Sequence, residues 1–98
     1  MILVLGSVVV REQSIDEAIL LSQEHVRRSR AEPGCISHAV HRDCERPQRL
    51  VFVEEWADDA SLRAHFQVPA SRAFVAALSA LATGAPTMSI YSAQRVGP

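Results

Sequence analysis

From Ile2 to Val10 the chain is rich in Val, Leu and Ile, and the run is continuous rather than alternating. A strand with one wet face alternates apolar and polar residues. A run without alternation reads as a strand covered on both faces. A fold built around such a strand needs helices over one face and a second layer over the other. With 98 residues, the chain is expected to form a single domain spanning 1–98. A domain of this size buries only a modest share of its surface, so association with a second copy is a natural source of stability.

The rest of the chain supplies the partners of that strand. Ser14-Ile-Asp-Glu17 has the form of a capping box, and apolar residues then recur at Ile15, Ala18, Ile19, Ser22 (weakly) and Val26, a helical spacing. Glu32-Pro33-Gly34 ends this helix, because proline disfavours helix at the residue before it and glycine supplies the turn. Cys35–Asp43 reads as a second strand, with Ile36, His38 and Val40 on one face and Cys35, Ser37, Ala39 and His41 on the other. A polar turn at Glu45-Arg46-Pro47-Gln48 leads to a third strand, Arg49–Trp56, antiparallel to the second. Its faces are Leu50, Phe52, Glu54 and Trp56, and Val51, Val53 and Glu55. Asp58 caps a short helix running to about Gln67, and Val68-Pro69 interrupts it. A further helix carries the stripe Ala70, Ala73/Phe74, Ala77/Leu78 and Leu81, and residues 87–95 return as a fourth strand.

The order β-α-β-β-α-α-β predicts an α+β domain of the ferredoxin-like split type, an antiparallel four-stranded sheet with helices on one face. Strands apolar on both faces predict that the sheet of another copy covers the second face, giving a homodimer.

Charge narrows the partners. The formal net charge is -1, all ten basic residues are arginine, and no basic tail or stripe exists, so no nucleic-acid partner is expected. Arg27, Arg28 and Arg30 read as a solvated helix end that complements the helix dipole. The N-terminal apolar run is too short to span a membrane and lacks the features of a secretory leader. Cys35 and Cys44 are separated by too much extended chain to pair, and two free thiols suggest a reducing, cytoplasmic setting.

Two segments carry a resemblance. Glu32-Pro-Gly-Cys35 precedes a strand ending His41-Arg42-Asp43, and Phe52-Val-Glu-Glu-Trp56 is followed by Ala60-Ser61-Leu62 and His65. Over residues 2–95 the chain resembles the antibiotic biosynthesis monooxygenase family. The resemblance implies a dimeric α/β barrel, two four-stranded sheets packed face to face with helices outside. It also implies oxidation of quinols or anthrones with molecular oxygen and no flavin or metal, although relatives include haem-degrading enzymes and isomerases. Haem-degrading members carry an axial histidine on the helix after the position of Pro69. The stretch Arg72–Leu78 has none, and the first strand offers Ser7 or Gly6 where those members have asparagine.

By this resemblance Trp56 stands at the position of a pocket tryptophan, where an indole can stack on a flat substrate, or it simply plugs the sheet. His65 can take a proton from a phenol or an activated methylene, or it can tie its helix to Glu54 or Glu55. His38 enters the same pocket if its face looks toward the helices, at a position that is often tyrosine in relatives; otherwise it is a core histidine. Ser7 can offer a hydroxyl to that space, Phe74 and Leu78 can form its apolar wall or pack the core, and Arg72 can reach an anionic group at its mouth. Cys35, His38, His41 and Cys44 recur every three residues, but on a strand such neighbours point to opposite faces, so no metal site or other cofactor is expected.

The leading expectation is a cofactor-independent monooxygenase acting on a small quinol, anthrone or related phenolic, with molecular oxygen as co-substrate. Two alternatives stand beside it: a non-catalytic small-molecule-binding or stress-response dimer, and an isomerase of a small metabolite.

Overall fold

A computed structural model describes all 98 residues. The elements are β1 (Ile2–Val9), α1 (Ile15–Ser29), β2 (Cys35–Arg42), β3 (Arg49–Trp56), α2 (Asp59–Gln67), α3 (Pro69–Leu81) and β4 (Thr87–Ser92), with one 3-10 turn at Glu12–Ser14 before α1. The four strands form one antiparallel sheet in the order β2-β3-β1-β4. The α+β ferredoxin-like arrangement expected from the sequence is therefore the one observed. No helix is long and apolar enough to cross a membrane.

The helices cover one sheet face. Val4 and Val8 of β1 and Leu50, Phe52, Glu54 and Trp56 of β3 are buried beneath them. The apolar part of this core is divided. Val8, Val10, Ile15, Ala18, Val26, Leu50, Phe52 and Leu78 form one cluster, and Val4, Trp56 and Leu62 form another. On β3 the two clusters are represented by Phe52 and Trp56, and the residue between them on that face is Glu54. A polar seam thus runs through the core at this level. On the opposite sheet face Leu3, Val9, Val51 and Val53 are half-buried, and Leu5 and Tyr91 are 41 % and 49 % exposed. This face carries Leu3, Leu5, Val51, Val53 and Tyr91 interspersed with Ser7, Glu55, Thr87 and Ser89, and it is uncovered within the single chain.

Three local expectations are corrected. Ser14 occupies the N-cap of α1, but its side chain makes no capping bond. A capping residue needs extended backbone, whereas the preceding 3-10 turn already holds Ser14 at φ -107°, ψ 0°. On β2 a bulge at Ile36 breaks the alternation, so that Cys35 pairs with Trp56 and Ser37 with Glu55. The extra residue puts Cys35 against the Trp56 cluster and leaves Ile36 56 % exposed. The last strand stops at Ser92, short of residue 95. Elsewhere the expected elements hold, and Asp58 Oδ1 accepts from Ser61 N–H at 2.8 Å to cap α2.

The turn between α1 and β2 is fixed by Gly34. Its φ is +82°, and a Cβ there would sit 2.1 Å from Ser61 Oγ at the start of α2. Only glycine permits both the left-handed backbone and that approach. The carbonyl of Gly34 accepts from Ala57 N–H at 2.8 Å, which holds the turn beside the end of β3.

Candidate active site

Four elements and one turn converge on the polar seam. His38 of β2 is the cross-strand partner of Glu54 on β3, so both side chains rise from the sheet toward the helices. His25 and Ser29 descend from the buried side of α1, His65 from that of α2, and Glu32 reaches in from the turn that Gly34 fixes. The rings of His25, His38 and His65 have centroids 5.3 to 5.8 Å apart, and all three side chains are buried.

The hydrogen-bond partners decide which nitrogen of each ring carries the proton. Ser29 Oγ donates its one hydrogen to the Val26 carbonyl at 3.1 Å, so it accepts from His38 Nδ1–H at 2.5 Å. The Nε2 lone pair of His38 is then free. It is buried, has no hydrogen-bond partner, and lies 3.6 Å from Glu54 Oε2. His65 Nδ1 donates to Glu32 Oε1 at 2.8 Å, which turns its Nε2 toward Glu54 Oε1 at 3.9 Å. His25 differs. Its Nδ1 accepts from the Arg28 guanidinium at 3.0 Å, so its Nε2 carries hydrogen. Phe74 stacks on the His25 ring at 4.0 Å and 8°.

Burial disfavours charge here. It pushes His38 down to about 3, with further lowering from His25, His65 and Arg30, and it pushes His25 down to about 3, with help from His65 and Arg28. Both rings are neutral at ordinary pH. The Glu54 carboxyl is raised by burial, against the opposing pull of the Trp56 N–H and of His65. Burial thus keeps both rings neutral, and of the two only His38 keeps a buried nitrogen lone pair without a partner, beside a carboxyl whose charge burial also disfavours.

His25, His38, Glu54 and His65 line a cavity of about 530 Å³ between the sheet and α3. Its wall is mostly apolar, with Val8, Phe52, Phe66, Phe74, Leu78 and Met88 contributing. Ser71 Oγ, buried and without a partner, adds a hydroxyl.

The residues expected from the sequence fall as follows. His38, His65, Phe74 and Leu78 line the cavity. Arg72 lines it at an exposed position, with its guanidinium bonded to Gln67 Oε1. Ser7 is at the wall, but its hydroxyl bonds Thr87 Oγ1 at 2.7 Å. It alternates with the buried Val8 and so points to the sheet face away from the helices. Trp56 is 0 % exposed and lies behind the wall, its Nε1 donating to Glu54 Oε1 at 3.0 Å and its ring 4.7 Å from His65. Stacking on a substrate is not open to it in this geometry. Arg28 is also not the solvated residue the helix end suggested, since it bonds both His25 and the Ala70 carbonyl. His41 and Cys44 are exposed and do not gather with His38, and neither cysteine is paired.

Sequence reasoning missed His25, Glu32 and Ser71 as site residues and gave Glu54 only as a partner. His25 had a signal: Ala18, Ser22, His25 and Ser29 step by four, three and four along one helix face.

The family model for "Antibiotic biosynthesis monooxygenase" matches residues 1–77, from β1 into α3. An uncharacterised protein of Synechocystis is 39 % identical over 74 residues, covering 76 % of this chain and 50 % of the relative. The chain therefore spans about half the length of that curated relative. A crystal structure described as an antibiotic biosynthesis monooxygenase is 27 % identical with a TM-score of 0.90, covering 97 % of this chain and 100 % of the other. A conserved protein of Methanosarcina mazei is 26 % identical with a TM-score of 0.90, covering 95 % and 92 %. A Deinococcus radiodurans protein, 19 % identical and covering 100 % and 97 %, shares the fold with a TM-score of 0.95.

Proposed function

The chain belongs to the antibiotic biosynthesis monooxygenase family, and from that premise we propose that its cavity oxygenates a small phenolic, a quinol or an anthrone, with His38 as the proton acceptor. The observation that carries this reading is the His38 Nε2 lone pair, buried and unpartnered in the wall of an apolar cavity. The cavity volume lies in the range that encloses a small aromatic ligand.

The chemistry proceeds from that lone pair. His38 Nε2 takes a proton from the activated methylene or phenol, and the electron-rich anion passes one electron to molecular oxygen. The substrate radical and superoxide combine into a peroxide, which recovers the proton from His38. Loss of water from a methylene hydroperoxide leaves a carbonyl, so one oxygen atom enters product and the other leaves as water. The substrate supplies the electrons. Glu54, 3.6 Å from Nε2, favours the imidazolium while it exists, and the Trp56 N–H and the Ser29 hydroxyl hold Glu54 and His38 in place. Ser71 offers a hydrogen bond to a substrate oxygen, and Phe74 and Leu78 exclude water. His65, oriented by Glu32, is the neighbouring acceptor.

The apolar residues exposed on the outer face of the sheet support a homodimer in which a second copy covers Leu5 and Tyr91. The two unpaired thiols fit a reducing compartment, as in the cytoplasm.

The test is oxygen uptake by the purified protein with hydroquinones, naphthohydroquinones and anthrones, alongside a folded His38→Gln variant. Uptake above the spontaneous rate that falls at least about tenfold in the variant is the expected result. No uptake with any of these substrates overturns the reading and leaves a binding role for the cavity.

A further inference from the structure

The polar seam has a second capacity. We propose that His38 Nε2, His65 Nε2 and the Glu54 carboxylate form a binding site for a divalent first-row transition ion, with Ser29 and Glu32 as the outer groups that aim the two imidazoles.

Separation is the first argument. Glu54 Oε2 lies 3.6 Å from His38 Nε2 and Glu54 Oε1 lies 3.9 Å from His65 Nε2, and the three histidines each offer a nitrogen within 4.8 Å of the others. An ion with bonds of about 2.1 Å draws tetrahedral ligand atoms to about 3.4 Å from one another. The His38–Glu54 spacing needs only a few tenths of an ångström of closure, and His65, which approaches the other carboxylate oxygen, has further to move to reach Oε2.

Orientation is the second. A metal-bound histidine donates its other N–H to a carboxylate or another oxygen acceptor. His65 does so to Glu32 and His38 does so to Ser29, which leaves both Nε2 atoms directed at Glu54. The indole N–H occupies Glu54 Oε1, and Oε2 remains for an ion. His38 Nε2 is buried without any partner, in a side chain that is 1 % exposed. A buried acceptor of this kind calls for an occupant.

The same logic removes His25. Its Nδ1 accepts from Arg28, so its Nε2 carries hydrogen and has no lone pair to give, and a guanidinium stands beside the ring. The three-histidine cluster therefore divides into two ligands and one hydrogen-bond donor. Two imidazoles and one carboxylate suit Zn(II), Fe(II) or Co(II) rather than Ca(II) or Mg(II), which prefer oxygen ligands. The remaining coordination positions open toward the cavity. The inference does not rest on the oxygenase reading, but the two meet at one atom. An ion and a proton compete for His38 Nε2, so a saturating ion should suppress proton transfer there.

The test is titration of the chelator-treated full chain with CoCl2, followed by its visible d–d bands, and with ZnCl2, followed by calorimetry. One ion per chain is expected. Folded His38→Gln and His65→Gln variants should each weaken binding by about 100-fold or more, Glu32→Gln by about 10- to 100-fold, and His25→Gln by less than about threefold. Imidazole nitrogen NMR of the unmutated chain gives the same answer if a variant fails to fold: ZnCl2 should move the Nε2 resonances of His38 and His65 and spare the ring nitrogens of His25. Absence of saturable binding overturns the proposal. So does binding that persists in both His38→Gln and His65→Gln, or zinc shifts centred on His25. No substrate enters these measurements, so their failure is separate from failure of the oxygenase reading.

Discussion

His65 Nδ1 and Glu32 Oε1 are 2.8 Å apart across 33 residues of chain, and this bond joins α2 to the turn that ends α1. The pair is largely buried, with side chains 4 % and 15 % exposed, and the second Glu32 oxygen has no partner. Removing the carboxylate leaves the His65 donor unsatisfied. Glu32→Ala should therefore lower unfolding free energy by about 1–3 kcal/mol at pH 7, read from urea unfolding curves. An unchanged midpoint would mean that the bond contributes nothing to holding α2 in place.

Acidification should unfold the protein early. His25 and His38 sit at about 3 in the folded chain, against 6.5 for the unperturbed side chain. Between these values the unfolded chain binds protons that the folded chain refuses, so this stability is present above about pH 6.5 and is lost as pH falls toward 3. The slope is about 1.4 kcal/mol per pH unit for each histidine. Glu54, raised by burial, works in the opposite sense, stabilising most below the ordinary carboxylate range and less as pH rises. Urea midpoints measured from pH 7.5 down to pH 5 should fall steadily, and His38→Gln should flatten the fall. A flat profile in the unmutated chain would show that these rings are not held neutral.

Glu54→Gln should raise stability while lowering activity. Burial penalises the charged carboxylate, and an amide keeps an oxygen for the Trp56 N–H now bonded at 3.0 Å. A gain of about 1 kcal/mol at pH 8 is expected in thermal or urea unfolding, together with slower oxygen uptake because the imidazolium loses its counter-charge. Destabilisation would show instead that the carboxylate is an essential strut.

The sheet's open face predicts its own assembly. Leu5 lies there at 41 % exposure beside half-buried Val53, its partner across β1 and β3. Sedimentation equilibrium should give twice the chain mass, and Leu5→Glu should give the single-chain mass. A monomeric parent would contradict the assigned role of that face.

Much of this fold is legible from periodicity. Arg49–Trp56 alternates cleanly, the Asp58 cap is local chemistry, and Glu32-Pro33-Gly34 stops a helix by backbone rules. The bulge at Ile36 is not legible, because one extra residue reverses the faces before it and no composition signal marks it. The site is harder still. His25, His38, Glu54 and His65 come from α1, β2, β3 and α2, and their meeting depends on how the layers pack. Periodicity names the buried face of each element but not what it meets. Trp56 shows the same limit: its inward face was readable, its place behind Glu54 was not.

The central claim is that His38 Nε2 accepts the proton that starts oxygenation, and labelled oxygen tests it most directly. With 18O2 and a naphthohydroquinone or anthrone, the unmutated protein should place one labelled atom in product and one in water. A folded His38→Gln variant should slow this by at least about tenfold. Labelling at the parent's rate in that variant, or no enzyme-dependent incorporation at all, would contradict the account.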